Sequence, residues 1–199
     1  DEGYLSDLER RAVAGKSRVI ISYLRGLHGR WRLAQAQWAL AAESLHEAVR
    51  MAHEDGAPNA AEETQLALAK LHLGQLTDPR SSAEQLAQAR HPDNWALAEI
   101  WLAIGDGEQA KKHALAAYKA AWADGEPYVS RYGLNKAAAL LRELGADIPK
   151  LAPYDPAKSK KLPWEDKVTA VIDKLRAKRK PKKASKPKNT AKSTKAKKK

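Results

Sequence analysis

At 199 residues, with 43% hydrophobic residues but a mean hydropathy of −0.63, the chain can build one core only if apolar and charged segments are kept apart. The absence of Cys excludes disulfides, thiolate metal sites and a cysteine nucleophile, and no run of about 18 apolar residues offers a membrane span. The net charge of +12 is concentrated: residues 174–199 hold 14 Lys or Arg and no acid, which leaves 22 basic against 24 acidic residues elsewhere.

The opening, DEGYLSDLERR, has neither Met nor a signal-peptide core and reads as the edge of a processed or larger polypeptide. AGKSR at 14–18 contains the Gly-Lys-Ser of a phosphate loop. The second glycine is missing, since Arg10 holds its place, and no strand precedes it; an exposed helical turn is the better reading. From Ile21 to Gly56, residues Leu33, Ala36, Leu40, Ala41, Leu45, Ala48 and Val49 follow one stripe of 3.6-residue period. NAAEETQLALAKLHLG predicts a helix closed by Gly74, followed by the loop QLTDPR and a short helix AEQLAQAR capped by Ser81 or Ser82. HPD opens NWALAEIWLAIG, and Gly105-Asp106-Gly107 turns it into EQAKKHALAAYKAAWADG. GEP then opens YVSRYGLNKAAALLRELG, which ends at Gly145. No alternating run bounded by turn residues predicts a strand.

Pro149, Pro153, Pro156 and Pro163 predict an extended strap over 146–163. A helix resumes over 164–178, with Trp164, Val168, Val171, Ile172 and Leu175 as its apolar stripe and Glu165 and Asp166 in its first turn. Residues 179–199 are Lys, Arg, Ala, Pro, Ser, Thr and one Asn, a composition with nothing to bury, which predicts disorder.

Pro58, Pro92 and Pro127 open segments at intervals of 34 and 35 residues. Around Gly105, Ala98 and Trp101 precede the turn and Ala110, Ala114 and Ala117 follow it at helical spacing. This unit resembles the tetratricopeptide repeat, whose small residue, aromatic, turn glycine and second-helix alanine match Ala98, Trp101, Gly105 and Ala110. Taking Gly29 as a hinge gives a second match through Ala34, Trp38 and Ala41. The unit around Gly74 keeps Leu66 and Ala67 but has Pro79 where alanine belongs, and the fourth unit has only a first helix. The resemblance spans residues 5–145. It implies an all-α, right-handed superhelix of antiparallel helical hairpins over 1–145, with the 164–178 helix covering its last face.

The same resemblance implies a non-enzymatic protein–protein interaction module that holds a protein or peptide partner on a concave face made by the first helices. Exposed candidates there are Arg18, Arg25, Gln65, Lys70, Glu99, Arg131, Asn135 and Lys136. A fainter resemblance, to the sensor arrays of bacterial signal-transduction ATPases and transcriptional activators, implies the alternative that this is the regulatory end of a larger protein. Trp38 and Trp101 fall at packing positions, whereas Trp31, Trp95 and Trp122 lie near helix ends as groove anchors. Glu43 and His46 have the i, i+3 spacing of a helix-bundle metal half-site, but no second Glu-x-x-His completes it. No nucleophile elbow is present, so no enzyme, cofactor or metal is expected.

The tail is the most specific signal. Lys178, Arg179, Lys180, Lys182, Lys183, Lys186, Lys188, Lys192, Lys195, Lys197, Lys198 and Lys199, interspersed with small residues, resemble the tails of linker histones and bacterial histone-like proteins. That likeness implies nucleic-acid binding without sequence readout, through phosphate neutralisation. No aromatic follows Trp164, so base stacking is not on offer. A cytoplasmic or nucleoid-associated protein without membrane attachment is expected.

Overall fold

A computed structural model describes residues 2–126, 128–153, 155 and 164–178. The strap residues 154 and 156–163, the third repeat proline at 127 and the tail 179–199 lie outside the described residues. Among the described residues the chain is all-α: helices α1 (Glu2–Ala14), α2 (Arg18–Ala34), α3 (Trp38–Glu54), α4 (Ala60–His72), α5 (Pro79–Gln88), α6 (Asn94–Ala103), α7 (Gly107–Trp122), α8 (Arg131–Glu143) and α9 (Glu165–Lys178), with no strand. It divides into two units, residues 1–154 and 155–199.

In the first unit the helices are set by their ends. Asn59 Oδ1 accepts from the backbone N–H of Ala61 and Glu62, Asp93 Oδ1 from those of Trp95 and Ala96, and Asp106 Oδ1 from that of Gln109. Each such cap is worth about 1 kcal/mol. The short helix α5 is capped by Asp78, whose Oδ1 accepts from Ser81 N at 3.0 Å, with Pro79 in the first turn. Its start is therefore Asp-Pro and not Ser81 or Ser82, because proline's missing N–H costs nothing at the first helical position.

Helix exits repeat one device. Ser17, Gln37, Ala57, Gln75, Asp106 and Ala146 each donate a backbone N–H to the carbonyl five residues back, across a residue in the left-handed region. Gly56, Gly74, Gly105 and Gly145 occupy that residue in four of these turns, but Lys16 and Ala36 do so in two. Thus Gly15-Lys16-Ser17 is an interhelical turn and not a turn within a helix. The expected hinge at Gly29 is also corrected. The reversal falls at Ala36, with φ 55°, and Gly29 lies buried inside α2. A Cβ on Gly29 would stand 2.4 Å from Leu45 Cγ, so glycine there serves the approach of α3 to α2.

Packing follows chain order. Leu33 of α2, Ala41 and Leu45 of α3, and Leu66 and Ala69 of α4 form one cluster. Ala67 and Leu68 of α4 join Ala83 of α5, Ala96, Leu97, Ile100 and Trp101 of α6 and Ala110 of α7 in the next. Ala98 of α6, Ala114 and Tyr118 of α7, and Ala137, Leu140 and Leu141 of α8 form the third. Neighbouring helices pack in sequence, and α4 additionally touches α2 and α6. After α8, Ile148 and Leu151 lie on the third cluster, and Trp122 Nε1 donates to Ala152 O at 2.9 Å. The first part of the strap thus belongs to this unit. In the second unit Trp164, just before α9, and Val168, Val171, Ile172 and Leu175 on it are exposed.

Candidate binding groove

Alternate helices α2, α4, α6 and α8 bring side chains to one concavity. Arg30, Gln65, Trp95, Tyr132 and Lys136 line a cavity of about 320 Å³, closed by Pro92, Asp93 and Asn94 at the start of α6 and by Ala117 and Ala120 of α7. Its volume stands at the lower end of the range for small-ligand sites, roughly 300–1,000 Å³. Tyr132 and Lys136 are one helical turn apart on α8, which places them on one face.

Two poles of opposite character line the cavity. At the first, Gln65 is only 7% exposed and its Nε2 donates to Asp93 Oδ2 at 2.6 Å. That bond fixes the amide's orientation and leaves Oε1 buried without a hydrogen-bond partner among the described residues. Asp93 is held in turn by its cap on α6. At the second pole, Lys136 Nζ lies 3.0 Å from the centroid of the Trp95 ring and 5.4 Å from that of Tyr132. Burial pulls the lysine below its ordinary range, and Asp93 and Glu99 oppose that shift. Glu99 is half-buried beside it, and burial, then Glu143, push its carboxyl up. Arg30 Nη1 stands 3.8 Å from Glu62 Oε1. Glu62 is buried below Gly26, whose missing Cβ leaves room for the carboxylate, and burial raises its carboxyl above the usual range.

Of the groove candidates read from sequence, Gln65 and Lys136 line this cavity and Glu99 adjoins Lys136. The others lie elsewhere. Arg18 is engaged by Glu54 and by Asp55 at 2.7 Å; Arg25 pairs with Glu9 at 3.0 Å and Glu47 at 2.7 Å. These belong to a charged ladder that continues through Arg50 and staples α1 and α2 to α3. Lys70 lines a separate recess between α4 and α5 with Leu66 and Leu86. Arg131 pairs with Glu126, and Asn135 is exposed. Arg30, Asp93 and Tyr132 were missed. The i, i+4 pairing of Tyr132 with Lys136 was the available signal for one of them.

The tryptophans divide accordingly. Trp101 is buried, Trp38 stacks on His72 with ring centroids 3.8 Å apart, Trp122 holds the strap, and Trp95 floors the groove. Among the described residues no group of three or more His, Cys, Asp or Glu is arranged to hold a metal, and no helix is long and apolar enough to cross a membrane. Comparison with protein-family models, with curated proteins and with solved structures gives no match.

Proposed function

We propose that the chain is a non-enzymatic interaction module: tetratricopeptide-like hairpins forming a right-handed superhelix whose groove receives a partner, with a lysine-rich tail that adds sequence-independent affinity for nucleic acid. The observation that carries the reading is the convergence of residues from alternate helices on one concavity. In stacked hairpins the first helices line a common inner surface, and Arg30, Gln65, Trp95 and Lys136 come from four such helices. The tail's charge supports the second part, since a body near neutrality has little to offer a polyphosphate. The tail supports a cytoplasmic or nucleoid-associated location. The modest cavity volume also favours the second reading, in which the module is the ligand-receiving region of a larger signalling ATPase or effector.

A photo-cross-linking residue tests the groove. Placed at Tyr132 it should trap a protein partner, and placed at Leu40, exposed on α3, it should not. Equal trapping at the two positions would remove the groove from the proposal.

A further inference from the structure

We infer that the groove cavity is a site for a free α-amino acid with an apolar side chain, its ammonium held at Gln65 and Asp93 and its carboxylate at Lys136 and Arg30. The inference rests on the groove being the binding surface, but not on the helical-repeat likeness or on the tail.

The acceptor pole comes first. Gln65 is more than nine-tenths buried, its Nε2 is committed to Asp93, and its Oε1 has no partner among the described residues. A buried carbonyl oxygen without a donor costs free energy that a ligand donor returns. The neighbouring carboxylate of Asp93 makes this pole formally negative. A peptide N–H, with one neutral donor, would satisfy the carbonyl but bring no charge to meet the carboxylate. An ammonium brings three donors and the matching charge.

The cationic pole sits in the same cavity. Lys136 has no carboxylate within ion-pair distance among the described residues; its ammonium rests over the Trp95 ring. Arg30 reaches the same space with only a 3.8 Å approach to Glu62. A carboxylate entering here gains two charge-assisted partners. The rest of the lining includes Ala117, Ala120 and Pro92, which offer apolar cover to an aliphatic side chain, beside the polar Asn94 and Tyr132. About 320 Å³ suits one residue better than a run of several. One molecule whose ammonium and carboxylate share a single carbon therefore supplies the matching charge to both poles.

The test is calorimetric titration of the full chain with three probes. L-Leucine carries both charges, L-leucinamide lacks the carboxylate, and N-acetyl-L-leucine lacks the ammonium while reproducing a peptide C-terminus. Saturable binding of L-leucine is expected, with about tenfold or greater weakening for each blocked probe, since each loses a charged hydrogen-bonding group. Lys136→Gln and Gln65→Leu should each weaken L-leucine by a similar factor, and Arg18→Gln, on the outer ladder, should leave it unchanged. Absence of saturable heat with L-leucine up to about 10 mM would overturn the inference. Equal binding of N-acetyl-L-leucine would also overturn it, in favour of a peptide terminus. Selective trapping at Tyr132 with no leucine binding would leave the groove reading standing and sink only the ligand assignment.

Discussion

Ala36 and Gly29 make opposite demands on the same helix. Ala36 closes α2 in the left-handed region, where a Cβ is unfavourable by roughly 1–2 kcal/mol, so Ala36→Gly should stabilise the protein by about 1 kcal/mol. Gly29→Ala, in contrast, drives a methyl into Leu45 and should cost about 1–3 kcal/mol. Urea unfolding of the two variants checks the pair; reversed signs would put the hinge back at Gly29. A second expectation at this scale concerns His113, buried in α7 with Nδ1 3.0 Å from Asn94 Oδ1. Burial, and secondarily Lys112, hold its pKa below the ordinary histidine value. The folded state therefore keeps the ring neutral, and the unfolded chain takes up the proton first as pH falls. Stability contributed by this group is full above about pH 6.5 and is lost as pH drops through the folded pKa. Melting temperatures measured from about pH 7.5 to about pH 5 should fall less steeply in His113→Gln than in the parent chain, and parallel profiles would contradict the assignment.

The helical hairpin between α6 and α7 was the most legible element. Gly105 is left-handed, Asp106 caps α7, and Ala110 and Ala114 are wholly buried where the two helices meet. Ala110→Trp should therefore overpack the contact and cost about 1–3 kcal/mol or more, read as a lowered urea midpoint; an unchanged midpoint would break the proposed packing register. Elements announced by glycine, proline or a capping Asp or Asn could be read from sequence because those residues fix backbone geometry locally. The α2–α3 turn could not. Gln35-Ala36-Gln37 contains no breaker, and the apolar stripe of the sequence runs through it, although Ala36 and Leu40 are exposed. Gly29 misled for a related reason: its cause is a contact with a distant residue, Leu45, and spacing alone does not show that. The groove was half legible. Gln65 and Lys136 followed from their places on first helices, but the hydrogen bond from Gln65 to Asp93 joins residues far apart in sequence and depends on how α4 meets α6.

On the scale of the molecule, two compositions share one chain: a body near neutrality and a C-terminal stretch, 174–199, that holds 14 basic residues and no acid. Division of labour between them is the central claim, and a salt titration of duplex DNA binding tests it most directly. The full chain is compared with a version ending at Ala177. Affinity of the full chain should fall by about 0.9 log unit per log unit of salt for each phosphate neutralised, with little dependence on DNA sequence. Lysines supply point charges and no bidentate fork for base edges. The shortened chain should lose both the affinity and the slope. Equal affinity and equal slope in the two would contradict the claim and move nucleic-acid binding onto the helical body.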